Sequence, residues 1–138
     1  MTDKEAMKLL ALIKVAYPSA YKDLDKDMTI ATVKMWQSTF PDTPYVIMEM
    51  AFENYRRSKK FPPTVADIFE ELENLYWGAS FEANIAKQRK DELAIKKCLF
   101  IMNNTDHHRR ESINHIQIDR ISNDMLIGSE KKFLIEEN

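Results

Sequence analysis

The sequence contains very little glycine. Glycine occurs only at Gly78 and Gly128 in 138 residues. Hairpins and small barrels need glycine in tight turns with positive φ, so this scarcity argues against a β fold. The two glycines also cannot form a phosphate-binding P-loop, a Rossmann fingerprint or a Gly-x-Ser-x-Gly nucleophile elbow. The composition therefore predicts a helical protein that hydrolyses no nucleotide of its own and needs no cofactor.

Disulfides, membrane spans and an excess of positive charge are also missing. The single cysteine, Cys98, cannot form an internal disulfide and fits a reducing compartment. No apolar run approaches the ~20 residues needed to cross a bilayer, and the N-terminus does not resemble a signal peptide. The net charge is -2, so no overall positive field attracts nucleic acid. We expect an intracellular protein that contacts no membrane.

Apolar residues recur at helical spacing in four stretches before Gly78. Four helices within residues 1–78 are enough to bury a common core, so we predict an all-α protein with a compact N-terminal bundle. The residues predicted to face its core are Ala6, Leu9, Leu10, Ile13 and Tyr17, then Ile30, Val33, Trp36 and Phe40, then Val46, Ile47, Met50, Ala51 and Tyr55, and finally Val65, Ile68, Phe69, Leu72, Leu75 and Tyr76.

Local signals predict where these helices begin and end. A Ser or Thr followed three residues later by an acidic residue predicts a capping box, and a Thr directly before Pro predicts a helix start. Glycine after the last periodic residue predicts a helix end, which places the end of the fourth helix at Gly78. The predicted N-terminal signals are Thr2 with Glu5, Thr43 with Pro44, and Thr64 with Asp67.

The remaining residues, 79–138, are predicted to form a helical or flexible partner-binding region. A helix over residues 80–102 is interrupted by the polar run 87–92, and Cys98 is a small core residue within it. Residues 103–111 have the composition of a polar linker. His107, His108 and His115 lack the spacing of zinc ligands, so we interpret the linker histidines as solvated and predict no metal site.

Basic residues cluster where the third helix gives way to the fourth. They either complement the dipole of the helix C-terminus or bind phosphate. The aromatic and proline residues that follow predict a rigid turn, with Phe61 packed between the two helices. The cluster consists of Arg56, Arg57, Lys59 and Lys60, and the turn of Phe61, Pro62 and Pro63.

A second candidate binding segment lies near the C-terminus. Phe133, Leu134 and Ile135 form an apolar cluster in a charged tail, directly after Lys131 and Lys132. Such a segment is either a disordered end or a short motif that folds against a partner. No set of residues in the chain has the spacing of a catalytic constellation, so we expect a protein that is not an enzyme.

Several motifs of the first half, over about residues 4–76, resemble the small helicase loader/inhibitor proteins of tailed phages that infect Gram-positive bacteria. The most telling is Lys-Phe-Pro-Pro-Thr ahead of an amphipathic helix. The motifs are Lys8-Leu9-Leu10-Ala11-Leu12-Ile13-Lys14, Ala16-Tyr17-Pro18, the helix around Trp36, Pro44-Tyr45, Lys59-Lys60-Phe61-Pro62-Pro63-Thr64, and Asp67-Ile68.

The resemblance implies a function in phage DNA replication. Proteins of this family bind the hexameric replicative helicase in its ATP-bound form, inhibit its ATPase and its single-strand binding, and deliver it to an origin-bound initiator. It also implies a flexible C-terminal region, localisation in the cytoplasm of the infected or lysogenic host, and helicase contact near the C-terminus. By position alone, that contact falls on residues 131–135.

Two other functions remain open. The basic cluster can serve a small DNA-binding replication or regulatory module, although the net acidity argues against direct nucleic-acid binding. Alternatively, the apolar residues 95–102 can serve self-association in a small structural phage protein. Salt-dependent affinity for DNA alone would favour the first alternative, and a mass that depends on protein concentration would favour the second.

Overall fold

The computed structural model of the protein describes residues 1–107, and these contain five α-helices and no β-strand. The predicted all-α fold is confirmed. Within the described part, no helix combines the length and the apolar character that a membrane span requires. The helices are α1 (Asp3–Ala16), α2 (Lys26–Thr39), α3 (Tyr45–Arg56), α4 (Val65–Arg89) and α5 (Glu92–Asn103).

Both predicted capping boxes are present. At α1, the amide of Glu5 donates to the Thr2 hydroxyl at 3.2 Å, and the Glu5 carboxylate accepts from the Thr2 amide at 2.9 Å. The backbone hydrogen bond from Thr2 is the main cause that lowers the pKa of Glu5. At α4, the Thr64 amide donates to Asp67 Oδ2 at 2.8 Å. The shorter aspartate therefore replaces the usual glutamate without loss of the reciprocal bond.

The predicted cap of α3 is wrong. Pro44 occupies the N-cap position and makes no side-chain hydrogen bond to the helix. Thr43 is fully buried, and its hydroxyl donates to Asp106 Oδ2 at 2.8 Å instead. A buried hydroxyl without a partner is costly, and this partner lies sixty-three residues away along the chain. Local spacing does not reveal such a bond.

The main core lies between α1, α2, α3 and the first half of α4. Aromatic rings dominate it: Phe40 lies 6.0 Å from Trp36 and 4.8 Å from Phe69 between ring centroids, both in tilted arrangements. Such pairs add to the stabilisation that comes from burying apolar area. The largest fully buried apolar side chains are Trp36, Phe40, Phe52, Leu9, Ile13, Ile47, Met48, Ile68 and Leu72.

The buried faces of α2 and α3 differ in part from the prediction. Met48 and Phe52 of α3 are buried, whereas Val46, predicted to face the core, is 51% exposed. The face of α3 is therefore rotated relative to the predicted stripe. Ile30 of α2 is also exposed, because it lies about 90° around the helix from the centre of the face formed by Val33 and Trp36.

The predicted end of the fourth helix at Gly78 is wrong as well. α4 continues to Arg89 and ends at Lys90, which has a left-handed backbone with φ of 57°. The extension is stabilised by a second, smaller core in which Ala79 and Ala83 of α4 pack against Cys98 of α5. Tertiary packing thus outweighs the helix-breaking tendency of one glycine, which costs only about 1 kcal/mol.

The remaining predictions for residues 79–107 fare differently. The predicted helix over residues 80–102 is two helices, which meet inside the polar run at Lys90 and Asp91. The predicted burial of Cys98 is confirmed. Because α4 passes through residue 78, the predicted boundary between residues 1–78 and 79–138 does not coincide with a helix end. A partner-binding role for residues 79–138 stays a prediction.

Residues 104–107 do not form a solvated linker. Thr105 is fully buried, and His107 is only 3% exposed. His107 Nδ1 lies 3.0 and 3.1 Å from the two carboxylate oxygens of Glu73, and its ring stacks on Tyr76 with 3.6 Å between centroids. The interpretation of His107 as a solvated histidine is therefore wrong, because α4 supplies both a carboxylate and an aromatic face. His108 and His115 lie outside the described residues.

The substitution Gly78→Ala tests whether α4 is continuous. An alanine Cβ at this position would meet no atom within 4 Å, and the φ of Gly78 is not positive. Alanine restricts the unfolded chain, so we expect the free energy of unfolding to rise by about 0.5–1 kcal/mol. Urea denaturation followed by circular dichroism measures this change. A marked loss of stability would instead indicate a helix that ends at Gly78.

Candidate protein-binding surface

The connection between α3 and α4 is short and rigid. We call residues 57–63 the basic loop. Its prolines, Pro62 and Pro63, exclude a helical path for the residue before each of them, so α3 cannot run on into α4. Pro63 is buried, and Thr64 follows it as the cap of α4. The loop is therefore fixed at its C-terminal end by the same residues that start α4.

Two buried tyrosines hold the backbone of the basic loop from below. The Tyr17 hydroxyl donates to the carbonyl oxygen of Lys59 at 2.8 Å, and the Tyr55 hydroxyl donates to that of Phe61 at 2.9 Å. The two rings lie 6.4 Å apart between centroids. Burial is the main cause that raises the pKa of both hydroxyls, so both remain hydrogen-bond donors at neutral pH.

The structure places Phe61 in solvent, contrary to prediction. Its side chain is 78% exposed, and it does not pack between α3 and α4. The interior there is already filled by Tyr17, Phe52 and Tyr55, and Tyr17 and Phe52 make an edge-on contact at 6.4 Å. Only the backbone carbonyl of Phe61 points toward these rings, through its bond to Tyr55. The ring of Phe61 therefore contributes little to the core.

The basic cluster divides into one paired residue and three unpaired ones. Arg56 forms an ion pair with Glu53 of its own helix at 2.8 Å. Arg57, Lys59 and Lys60 are exposed, and none of them forms an ion pair with any residue of the described range. Arg56 thus has a local partner within α3, whereas the other three cations are available to a ligand.

An apolar groove lies beside the basic loop. It has a volume of about 560 Å³ and is bounded by the α1–α2 connection, α2 and the start of α4. Its lining includes Met35, which is half exposed, and Tyr21, a non-glycine residue with positive φ of 55°. No lysine or arginine lines it. The full lining is Ala20, Tyr21, Met35, Trp36, Pro62, Pro63, Thr64, Val65 and Ala66.

Tyr21 is held in this unusual backbone conformation by its surroundings. Positive φ is uncommon for a bulky residue and marks a position that the fold over-determines. A hydrogen bond with Trp36 opposes the effect of burial, which raises the pKa of the Tyr21 hydroxyl. No spacing in the sequence signals this arrangement, so sequence analysis missed Tyr21 and the groove that it lines.

A second apolar surface lies on the far half of α4. Trp77 and Phe81, 57% and 66% exposed, stand one helical turn apart, on the side of α4 opposite to Ala79 and Ala83. We call these two aromatic residues the α4 patch. Sequence analysis missed it because a helix that ends at Gly78 never places positions 77 and 81 on one face.

The other predicted site residues belong to the C-terminal segment. Lys131, Lys132, Phe133, Leu134 and Ile135 lie outside the described residues. Within residues 1–107, no group of three or more His, Cys, Asp or Glu side chains is arranged to hold a metal ion. Of the predicted site residues, the structure brings together only those of the basic loop and Arg56 beside it.

Comparison with known protein families gives a match over the first half of the chain. A family model for the N-terminal domain of the phage helicase loader/inhibitor proteins matches residues 1–69. The matched range includes α1, α2, α3, the basic loop and the first residues of α4. Neither the curated proteins nor the solved structures contain a match. The family resemblance predicted from the sequence is confirmed.

Substitution of Phe61 tests whether its ring has any packing role. We expect Phe61→Ala to leave the melting temperature within about 1 °C of the unmodified protein, since exposed side chains contribute within about ±0.5 kcal/mol. The matched core variant Phe52→Ala should lose about 3–5 kcal/mol, because Phe52 is 1% exposed. Calorimetry of both variants measures the difference. A large loss for Phe61→Ala would restore the predicted packing between helices.

Removal of the tyrosine hydroxyls tests what holds the basic loop. Tyr17→Phe and Tyr55→Phe should each lower the free energy of unfolding by about 1 kcal/mol at pH 7. The pKa of each hydroxyl is raised by folding, so the stabilisation is complete below pH ~10 and declines as pH rises above it. Denaturation between about pH 8 and 11 should show a shallower decline for the double variant. An equal decline would rule out these two groups as its cause.

Proposed function

This chain belongs to the phage helicase loader/inhibitor family, and on that premise we propose that it binds the hexameric replicative helicase. In the proposed role it inhibits the ATPase and single-strand binding of the helicase, then delivers it to an origin-bound initiator protein. The observation that carries the proposal is the family match over residues 1–69, which includes the basic loop. The place of action that follows is the cytoplasm of the bacterial host.

The exposed side chains of the described residues support a role in protein binding. Phe61, Trp77 and Phe81 are large aromatic residues in solvent, and none is needed to fill either core. Aromatic residues of this kind are typical anchors of protein interfaces. The role requires no catalytic group, so we propose an adaptor without an enzymatic activity of its own.

The helicase contact is proposed for residues 131–135, which lie outside the described range. An apolar cluster within a charged tail buries its side chains only when a partner supplies the complementary surface. The cost of ordering such a segment lowers its affinity, which makes the contact reversible. Reversibility matters because a loader has to leave the helicase once the helicase is on DNA.

A DNA-binding module is the second candidate, and one observation favours it. Arg57, Lys59 and Lys60 are exposed without an ion-pair partner in residues 1–107, as phosphate-binding residues would be. The net charge of -2 opposes it, since nucleic acid is attracted by an overall positive field. Strong affinity for DNA in the absence of helicase, falling steeply with salt concentration, would establish this candidate.

The experiment that tests the proposed function mixes the protein with the replicative helicase of its phage. Multi-angle light scattering with and without ATP measures complex formation, and a parallel assay measures helicase ATPase activity. We expect a complex that depends on ATP, together with reduced ATPase activity. Absence of a complex under both conditions would contradict the loader function, and DNA binding would then be measured next.

Deletion of residues 125–138 tests the proposed contact in the same assay. We expect the truncated protein to keep its melting temperature, because the deleted residues contribute nothing to the cores of residues 1–107, and to lose helicase binding. The variant Phe133→Ser with Leu134→Ser should reproduce the loss in a full-length chain, whereas Lys131→Ser with Lys132→Ser should weaken binding less. Unchanged binding by the truncated protein would move the contact elsewhere.

A further inference from the structure

We propose that the basic loop and the adjoining groove bind an acidic peptide segment of a partner protein, with one apolar side chain of that segment seated in the groove. This surface lies entirely within residues 1–107. It is separate from the C-terminal segment proposed to contact the helicase, so either proposal can fail without the other.

The surface is preformed, which favours binding. The carbonyl groups of Lys59 and Phe61 are held by buried tyrosine hydroxyls at 2.8 and 2.9 Å. On the other side, the capping box of Thr64 and Asp67 fixes the start of α4. A ligand therefore does not have to order the loop, and the entropic cost of association is reduced.

The apolar part of the surface has room for a side chain of the ligand. The groove volume of about 560 Å³ lies within the ~300–1,000 Å³ typical of binding pockets. Met35 borders the groove, and Phe61, directly before Pro62 of its lining, is exposed beside it. An exposed aromatic ring beside an apolar groove is an arrangement that recognises an apolar anchor residue.

The charge of the surface selects an acidic ligand. Arg57, Lys59 and Lys60 lie within four positions, and none has an acidic partner in the described chain. Carboxylates of a ligand would supply the missing partners and accelerate association. A peptide fits better than nucleic acid because the groove is lined without lysine or arginine, whereas grooves for single strands carry cations along their length.

The probes are two synthetic peptides that differ only in charge. In the first, a Leu-Phe pair is flanked on both sides by glutamates, and in the second the glutamates are glutamines. Titration into the ¹⁵N-labelled full-length protein should shift the amide signals of Tyr21, Met35 and Val65 with the first peptide. We expect the second peptide to bind about tenfold more weakly, and rising salt to remove most of that difference.

Variants of the protein separate the contributions of charge and ring. Lys59→Glu with Lys60→Glu should weaken binding of the glutamate peptide at least about tenfold. Its matched control is Lys96→Glu with Lys97→Glu, an exposed lysine pair on α5, which should leave binding unchanged. Phe61→Ala should weaken binding of both peptides, whereas the similarly exposed control Phe81→Ala should not.

Three results would overturn the proposal. The first is no shift of the groove signals with the glutamate peptide at millimolar concentration. The second is equal weakening by the Lys59/Lys60 variant and its Lys96/Lys97 control, which would indicate a general charge effect. The third is binding of a single-stranded oligonucleotide, sensitive to Lys59→Glu with Lys60→Glu, by a protein that ignores both peptides. That last result would assign the surface to phosphate recognition.

Discussion

The start of α4 constrains more of this structure than any other local feature. Pro62 and Pro63 end the path of α3, and the reciprocal bonds of Thr64 and Asp67 begin α4 at a defined residue. The first half of α4 then buries Ile68 and Leu72 in the main core. Its second half packs against α5 in the smaller core. One helix start thus sets the position of both cores and of the loop before it.

The same constraint explains why a large aromatic residue remains in solvent. With both ends of the basic loop fixed, the Phe61 carbonyl is the group that reaches the buried Tyr55 hydroxyl, and its ring is left outside. A hydrogen bond between buried groups has to be satisfied, whereas one exposed phenylalanine costs a small domain little. The exposure of Phe61 therefore follows from satisfying the backbone below it.

Local patterns in the sequence predict local structure well here and fail where distant residues meet. The all-α fold and the capping boxes at Thr2 and Thr64 depend on spacings of three and four residues, so they were predictable. Thr43 bonds to Asp106, and His107 stacks on Tyr76 of another helix, and neither pairing leaves a periodic signal. The continuation of α4 past Gly78 depends on packing against α5, which single-residue propensities do not contain.

The length of α4 also bears on how an adaptor protein contacts more than one partner. A helix rises about 1.5 Å per residue, so Trp77 stands about 18 Å along α4 from Val65 at the edge of the groove. The family match ends at residue 69, and it therefore includes the basic loop but not the α4 patch. A peptide bound beside Val65 leaves Trp77 and Phe81 uncovered. Because both surfaces belong to one continuous helix, their separation is fixed, and occupation of one does not obstruct the other.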